Sequence, residues 1–460
     1  MTLLGAKIAA ARAVGSLARR AGRGGGTSLP GKVLLALEPD AIRELSARLS
    51  RGSMVISATN GKTTSAAMVA AVLARAGVPV VHNRAGANMA GGVASTLVAA
   101  ARPAGRLAGE LGLFEVDEFW LDRIVPQLEP RGILLGNLFR DQLDRYGELD
   151  TIADRWAAVT ASAAGRLVLN ADDPLIADLG RNAASVTYFG VEDPSVAIPE
   201  MQHAADSKHC RRCGAAYVYD VVYLGHLGIY RCPSCGAERP APAVAAERIV
   251  LDGTRGSSFD LVTPSGRARV ELPLPGLYNV YNALGAAALC LGLDVPVDVV
   301  VAGLAGVRAA FGRAERIAIG DVELQVLLIK NPAGANEILR TLVIEPSELD
   351  LLAVLNDRTA DGHDVSWVWD ADFEMLAGRV RRVTCAGTRA SELAVRLKYA
   401  GVPVDRLHVV PGVAAALDEA LADAPAGRVY ALPTYTALLE LRGLLAERGY
   451  AVPFWEPAPV

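Results

Sequence analysis

The chain has 460 residues, of which 52% are hydrophobic and 21% are charged, and its formal net charge is −4. A chain of this length usually folds into two or three domains, and its balance of apolar and charged residues is that of a globular protein. Because acidic and basic residues nearly cancel, the composition excludes binding of nucleic acid through bulk positive charge. No uncharged apolar run is long enough to span a bilayer, so we expect no transmembrane helix.

Residues 1–22 carry apolar side chains at helical spacing, with basic residues between them. The segment lacks the unbroken apolar core and the small-residue cleavage site of a signal peptide. We expect a helix that packs on the following domain; a weak contact with an anionic membrane surface is the alternative. The expected compartment is therefore the reducing cytoplasm.

Predicted strands alternate with predicted helices on both sides of a cysteine-rich segment. The strands are predicted at residues 51–57, 132–137, 167–170, 323–329, 351–355, 382–385 and 428–432. This alternation predicts an α/β fold in which helices cover both faces of a parallel sheet. We expect a lead-in at 1–48, a central domain at 49–311 with an insertion at 206–238, and a smaller Rossmann-like C-terminal domain at 312–460.

The segment SATNGKTT, residues 57–64, stands between a predicted strand and a predicted helix. In this context the backbone N–H groups of the turn and the helix N-terminus bind phosphate. Lys62 is expected to neutralise the β- and γ-phosphate oxygens, and Thr63, or alternatively Thr64, to ligate Mg²⁺. Ile56 stands where the common nucleotide loop has its first glycine, so the spelling is a variant, and a chance turn is the alternative. The segment predicts ATP and Mg²⁺ as ligands.

Four cysteines form two Cys-x-x-Cys pairs separated by eighteen residues: Cys210 and Cys213, then Cys232 and Cys235. Four thiolates on two short loops can close a tetrahedral shell around zinc, and iron would bind a similar shell. A closed shell leaves no position for a reacting water molecule, so we expect a structural zinc ribbon.

The segment 355–373 contains five aspartates and two tryptophans directly after a predicted strand. Carboxylates at the carboxyl end of a strand in an α/β domain commonly face a ligand crevice. The alternative is an acidic surface loop with tryptophans that belong to the core.

The spelling of the phosphate loop resembles that of the Mur ligases and folylpolyglutamate synthases, although Ala58 replaces a family glycine. The resemblance continues at Glu115, which matches a magnesium ligand of the family, and at Asn279 and Asn282, which match its asparagine motif near the nucleotide. It implies an acyl-phosphate ligase. The implied ATP-binding residues are Thr59, Asn60, Gly61, Lys62, Thr63, Thr64, Asn279 and Asn282.

The ribbon, the segment KNPAGAN at residues 330–336 and the acidic segment together resemble the MurT family, the ligase subunits of lipid II isoglutaminyl synthases. The likeness includes residues 137–148. It implies ATP-dependent amidation of the D-glutamate α-carboxylate in the lipid II stem peptide, a step of peptidoglycan synthesis, at the inner face of the membrane.

The same resemblance implies a heterodimer with a GatD-type class I glutamine amidotransferase that supplies ammonia. In the family an aspartate of the C-terminal domain orients the partner's histidine, and this role falls on Asp364, with Asp357 as the main rival. Three alternatives stay open: a free-standing amino-acid ligase, a folylpolyglutamate synthase, and a non-catalytic nucleotide-binding scaffold. The intact Lys62, Thr63 and Glu115 argue against the scaffold.

Overall fold

The computed structural model describes residues 3–20, 28–83, 87–102, 106–141, 149–203, 205–307, 313–425 and 427–452. Helices within these residues are α1 (Leu3–Arg20), α2 (Leu29–Leu37), α3 (Ala41–Ser46), α4 (Lys62–Arg75), α5 (Ala90–Ala100), α6 (Leu121–Leu128), α7 (Leu149–Ser162), α8 (Pro174–Asp178), α9 (Leu277–Leu291), α10 (Val297–Ala305), α11 (Pro332–Val343), α12 (Ala390–Tyr399), α13 (Val413–Ala422) and α14 (Tyr435–Glu447).

The strands are β1 (Ser53–Ser57), β2 (Val80–His82), β3 (Leu111–Glu115), β4 (Gly132–Leu135), β5 (Arg166–Asn170), β6 (Val186–Val191), β7 (Val218–Leu224), β8 (Leu227–Arg231), β9 (Val244–Asp252), β10 (Gly256–Thr263), β11 (Gly266–Leu272), β12 (Arg313–Ile319), β13 (Val322–Leu327), β14 (Leu349–Val354), β15 (Val380–Ala386), β16 (Leu407–Val409) and β17 (Arg428–Pro433). Short 3-10 helices lie at Pro194–Val196, Ser366–Trp369, Phe373–Leu376 and Val404–Arg406. No helix among the described residues is both long and apolar enough to cross a membrane.

The larger sheet has nine strands in the order β11-β10-β9-β6-β5-β4-β1-β3-β2. In this spatial order, the seven strands from β9 to β2 pair in parallel, and β10 and β11 add an antiparallel edge. Every residue of β1 and β3 is buried, because two separate hydrophobic clusters cover the two faces of the sheet. The expected parallel sheet with helices on both faces is confirmed.

The second sheet has six strands in the order β12-β13-β17-β14-β15-β16. All neighbours are parallel except the β12–β13 pair, and buried clusters again lie on both faces. The acidic segment follows β14, a strand whose residues are all buried in the middle of this sheet. It therefore starts at the carboxyl end of a central parallel strand, the edge at which α/β domains place ligands.

The cysteine-rich insertion forms its own two-stranded sheet from β7 and β8. Each Cys-x-x-Cys loop is closed by a backbone bridge, His209 with Ala216 and Arg231 with Glu238. The far end of the hairpin joins the hydrophobic cluster of the central domain. The insertion is thus a ribbon with a cysteine end and an apolar end.

The first helix packs against the central domain through Leu4, Ile8 and Ala11, which are buried. The Arg12 guanidinium donates hydrogen bonds to carbonyl groups at the end of α5, and Lys7 forms an ion pair with Glu38 at 2.7 Å. The charged groups of Lys7 and Arg12 therefore have partners within the protein.

Candidate nucleotide site and interdomain cleft

The phosphate loop joins β1 to α4, and Gly61 is the residue just before the helix. Its φ is 86°, in the left-handed region that favours glycine, and a Cβ placed there would lie 2.0 Å from Asn282 Oδ1. Any side chain at position 61 would therefore collide with Asn282 as well as strain the backbone. The loop keeps a tight turn despite its unusual spelling.

Lys62 is the first residue of α4, and its ammonium group lies inside the protein. Nζ donates to Glu118 Oε2 at 2.8 Å and to the carbonyl oxygen of Ala58, while its side chain is only 10% exposed. Burial acts to lower the pKa of Lys62, but the carboxylates of Glu118, Asp117 and Glu115 raise it overall. Lys62 is therefore a fixed cation in the phosphate loop.

A second pair of side chains meets beside this lysine. Thr63 Oγ1 donates to Glu115 Oε1 at 3.0 Å, and Glu115 is the last residue of β3. The Asn83 side chain holds the Glu115 backbone at both its N–H and its carbonyl. A hydroxyl and a carboxylate beside a phosphate loop are oxygen ligands of the kind that Mg²⁺ prefers. Thr64 lines the interdomain cleft instead.

The two asparagines at the start of α9 have different surroundings. Asn282 lies at the loop, where its Oδ1 accepts from Ser65 Oγ at 3.2 Å. Its Nδ2 donates to Asn279 Oδ1 at 3.1 Å, and Asn279 Nδ2 donates to the carbonyl of Pro275 at 2.8 Å. Asn282 lines the cleft, whereas Asn279 lies behind it and fixes its orientation.

Asn137 brackets the phosphate loop, although sequence reasoning gave it no separate role. Its Oδ1 accepts from the Asn60 N–H at 2.9 Å, and its Nδ2 donates to the Asn60 carbonyl at 3.0 Å. Thr59 Oγ1 accepts from the Phe139 N–H at 3.1 Å and donates to the carbonyl of the same residue. Thr59 and Asn60 are thereby held to the segment after β4.

The phosphate loop faces the second sheet across a cleft that opens to solvent. One wall is the loop with α9, the opposite wall is the end of β13 with the start of α11, and the tip of the ribbon hairpin contributes Leu224 and Leu227. Asn331 Nδ2 donates to Asn60 Oδ1 at 3.0 Å across this gap. The cleft combines apolar surface for a base with polar groups at the phosphate loop.

Residues of the second sheet that line this cleft had no assigned role from sequence. Lys330 forms an ion pair with Asp141 and lies 3.5 Å from the Thr59 carbonyl. Glu337 is buried, and neither of its carboxylate oxygens has a hydrogen-bond partner within the described ranges. The only sequence signal for both was their position in or next to the KNPAGAN segment.

The two candidate aspartates of the acidic segment differ in their partners. Asp357 Oδ1 accepts from Thr388 Oγ1, and its Oδ2 accepts from Arg389 Nε at 2.8 Å. These hydrogen bonds, first that of Thr388 and then that of Arg389, lower the pKa of Asp357. Asp364 is exposed, and its only hydrogen-bond partner among the described residues is Ser366. Ser366 lowers the pKa of Asp364, so both groups are carboxylates at neutral pH.

Asp364 also lines a crevice that leads back to the nucleotide site. The crevice is lined by Arg140, Asp141, Lys330, Asp364 and Trp367, among others. Lys330 lines both this crevice and the cleft at the phosphate loop, so the two are neighbours. Residues 142–148, part of the segment that carries the family likeness, lie outside the described residues.

The four cysteine sulfur atoms of the ribbon all lie within 4.8 Å of one another. Cys210 Sγ is 3.6 Å from Cys235 Sγ, and Cys213 Sγ is 3.5 Å from Cys232 Sγ. The two shorter separations suit thiolates that share one zinc ion, since Zn–S bonds of about 2.3 Å in a tetrahedron place sulfur atoms less than about 4 Å apart. The donor set therefore fits zinc.

Two family models match the chain. The one described as Mur ligase middle domain matches residues 56–227, and the one described as MurT ligase C-terminal matches residues 328–438. Among solved structures, a pseudomurein peptide ligase type C from Methanothermus fervidus superposes with a TM-score of 0.68. It is 23% identical, with 88% of this chain and 80% of that chain covered, so the likeness supports the fold alone.

Curated relatives match most of the chain. The MurT subunit of the glutamine-hydrolysing lipid II isoglutaminyl synthase from Streptococcus pneumoniae is 32% identical over 92% of this chain and 93% of its own length. The subunit of the same name from Staphylococcus aureus is 31% identical, with 92% and 94% covered. The resemblance seen in the sequence motifs is confirmed, and the chain belongs to the MurT family of lipid II isoglutaminyl synthase subunits.

Proposed function

We propose that this chain is the ATP-dependent ligase subunit of a lipid II isoglutaminyl synthase. It amidates the α-carboxylate of D-glutamate in the lipid II stem peptide to give D-isoglutamine. The observation that carries the proposal is the meeting of Lys62, Thr63 and Glu115 at a phosphate loop that faces a MurT-type C-terminal domain. An acyl-phosphate ligase needs this arrangement, because nucleotide and acceptor must be brought together away from water.

The chemistry has two displacement steps. A carboxylate oxygen of the acceptor attacks the γ-phosphorus of ATP, and the bond to ADP breaks with its electron pair leaving on ADP. Ammonia then attacks the carbonyl carbon of the acyl phosphate, phosphate leaves, and one proton is lost. Lys62 holds the phosphate oxygens, and Thr63 and Glu115 would hold Mg²⁺, which offsets negative charge in phosphoryl transfer.

The remaining nucleotide contacts follow from the geometry of the loop. The backbone around Gly61 would surround the phosphates, with Thr59 and Asn60 held in place by Asn137 and Phe139. Asn282 would contact the nucleotide, and Asn279 would act by orienting it.

We further propose a division into a lead-in at 1–48, a central ATP-binding domain at 49–311 and a C-terminal domain at 312–460. The ribbon at 206–238 would bind a structural zinc ion through its four cysteines. Its apolar tip forms part of the cleft wall, so the metal would stabilise the nucleotide site from a distance.

The proposed ammonia source is a GatD-type glutamine amidotransferase that forms a heterodimer with this chain. Asp364 would orient the histidine of that partner, as the acidic member of a triad does. The hydrogen bonds support this choice over Asp357: Asp364 is exposed and, within the described part of the chain, is held by Ser366 alone, while both oxygens of Asp357 are already engaged. A lipid-anchored substrate would place the reaction at the inner face of the membrane.

The test is ATP- and glutamine-dependent amidation of lipid II, measured by mass spectrometry of the released stem peptide. The chain is assayed alone and together with a candidate amidotransferase subunit. Product with glutamine only when both proteins are present supports the proposal. Addition of an amino acid by this chain alone would instead identify a free-standing ligase. ATP binding without any product would favour the non-catalytic scaffold.

A further inference from the structure

A lysine of the second sheet reaches the phosphate loop from the opposite wall of the cleft. Lys330 stands between β13 and the N-cap residue of α11, Asn331. Its Nζ lies 3.5 Å from the carbonyl oxygen of Thr59 and forms an ion pair with Asp141, and the side chain is 28% exposed. The short connection from strand to helix cap fixes the direction of this side chain into the cleft.

The surroundings of Lys330 repeat those of Lys62. Each ammonium group is held by one carboxylate, Glu118 for Lys62 and Asp141 for Lys330. Each also lies near the same loop carbonyl of Thr59, at 3.4 Å for Lys62 and 3.5 Å for Lys330. Two cations held by carboxylates at a phosphate loop form a site that anionic oxygens can enter by replacing those carboxylates.

The separation of the two ammonium groups suits a single phosphoryl group. Because both nitrogen atoms lie near one oxygen, their separation is at most the sum of 3.4 and 3.5 Å. Charge-assisted N–H···O bonds are about 2.8 Å long. Two such bonds to two oxygens of one phosphoryl group therefore fit between Lys62 and Lys330.

The composition of the chain strengthens this reading of Lys330. Lysine and arginine together number 46, yet only six of them are lysines, so arginine is the usual cation of this sequence. Two of the six, Lys62 and Lys330, meet at this loop. A compact ammonium group binds phosphate as a point charge, whereas a planar guanidinium needs a wider fork of acceptors. Lysine therefore stands at this site although arginine is the more frequent basic residue of the chain.

We propose that Lys330 is a catalytic residue that binds the transferred γ-phosphoryl group from the side opposite Lys62. This inference rests on the proposed ligase function and adds a residue to it. As the acceptor carboxylate attacks phosphorus, negative charge grows on the phosphoryl oxygens and the electron pair of the broken bond leaves on ADP. Lys330 stabilises that charge and stays with the phosphate of the acyl phosphate. Asp141 gives up its ion pair when the phosphoryl group enters.

The opposing explanation is that the Lys330–Asp141 pair only clamps the two walls together. The variants Lys330→Gln and Asp141→Asn separate the two explanations, because both break the pair but only the first removes the cation. Lys330→Arg retains the charge, and Lys398→Gln is a matched control that removes a lysine of α12, a helix that takes no part in lining the cleft. Binding of Mg-ADP and of Mg-AMPPNP is measured by calorimetry on the full chain.

Lys330→Gln should bind Mg-ADP within twofold of the parent but Mg-AMPPNP about 10- to 100-fold more weakly, the effect of one lost charge-assisted bond. Turnover with lipid II and ammonium chloride should fall about 100-fold or more, as when one transition-state donor is removed. Asp141→Asn should keep the preference for AMPPNP, Lys330→Arg should recover part of it, and Lys398→Gln should match the parent.

Equal weakening of both nucleotides by Lys330→Gln and Asp141→Asn would identify a clamp and overturn the inference. Unchanged AMPPNP binding in Lys330→Gln would overturn it as well. If the parent binds nucleotide but never amidates lipid II, the proposed function fails. The comparison of ADP with AMPPNP still decides the role of Lys330 in that case, since it needs no acceptor.

Discussion

Glu337 is an uncompensated buried carboxyl group in the wall of the nucleotide cleft. It is 2% exposed, and no described residue forms a hydrogen bond with either carboxylate oxygen. The nearest cation, Arg340, lies 3.9 Å from Oε1, which is too far for a hydrogen bond. Burial raises the pKa of Glu337 to about 7, with Arg340 acting weakly in the opposite direction. The folded protein therefore favours the protonated form.

This shift predicts how stability depends on pH. In the unfolded chain the group loses its proton near its ordinary pKa of 4.5, whereas in the folded protein it keeps the proton up to about pH 7. Between these values the folded state binds more protons than the unfolded state, so the free energy of unfolding falls as pH rises. At about 1.4 kcal/mol for each factor of ten in the proton equilibrium, the total loss is about 3 kcal/mol. Above pH 7 no further loss is expected from this group.

The substitution Glu337→Gln removes the titration and keeps the size of the side chain. The free energy of unfolding of the variant minus that of the parent should rise by about 2.5 kcal/mol from pH 5 to pH 8. This is less than the full loss because the parent has already lost part of its stability at pH 5. Urea unfolding followed by tryptophan fluorescence at both pH values measures this difference. Glu447→Gln, which removes an exposed glutamate of α14, is the matched control. A difference between Glu337→Gln and the parent that is the same at both pH values would refute the reasoning.

Three further substitutions test the assigned sites. Lys62→Ala should abolish ADP release while leaving the heterodimer intact by gel filtration, and unchanged turnover would remove the phosphate-loop assignment. Asp364→Asn should lower glutamine hydrolysis by the complex roughly 100-fold or more, since the orienting aspartate of a triad contributes up to about 10⁴ in kcat, yet spare amidation fed by ammonium chloride. Asp357→Asn should affect hydrolysis much less, and the reverse order would exchange the two roles. Cys213→Ser should reduce bound zinc, measured by mass spectrometry of metals, and lower the thermal midpoint; full zinc retention would argue against a four-sulfur site.

The parts of the fold that could be predicted are those that residues close together in the sequence determine. Strand, turn and helix follow one another around Lys62, and the paired cysteines lie close together in each loop, so short-range spacing was enough. The parallel sheets, the ribbon and the family likeness are all confirmed. The roles of individual residues, including Asp364, remain predictions that the variants above test.

The contacts between the two walls of the cleft were beyond sequence reasoning for a physical reason. Asn60 and Asn331 form a hydrogen bond across the cleft although they are 271 positions apart in the chain. Lys330 and Asp141 form an ion pair over 189 positions. No local periodicity encodes which carboxylate a given lysine will meet, because this depends on how two separately folded sheets dock.

The same distance in sequence explains why the acidic segment could be located but not interpreted in detail. Its position after β14 predicted a crevice, yet the partners that distinguish the aspartates come from elsewhere. Thr388 and Arg389, which hold Asp357, belong to the turn after β15, and Thr436, which holds Asp361 through both its N–H and its hydroxyl, belongs to α14. Among the residues that the structure describes, Asp364 has its near neighbour Ser366 as sole hydrogen-bond partner, and it is the exposed carboxylate of the three. An aspartate with so few partners inside its own chain has hydrogen-bonding capacity left for a second protein. Comparing the glutaminase activity of Asp364→Asn with that of Asp357→Asn therefore separates a functional role from a structural one.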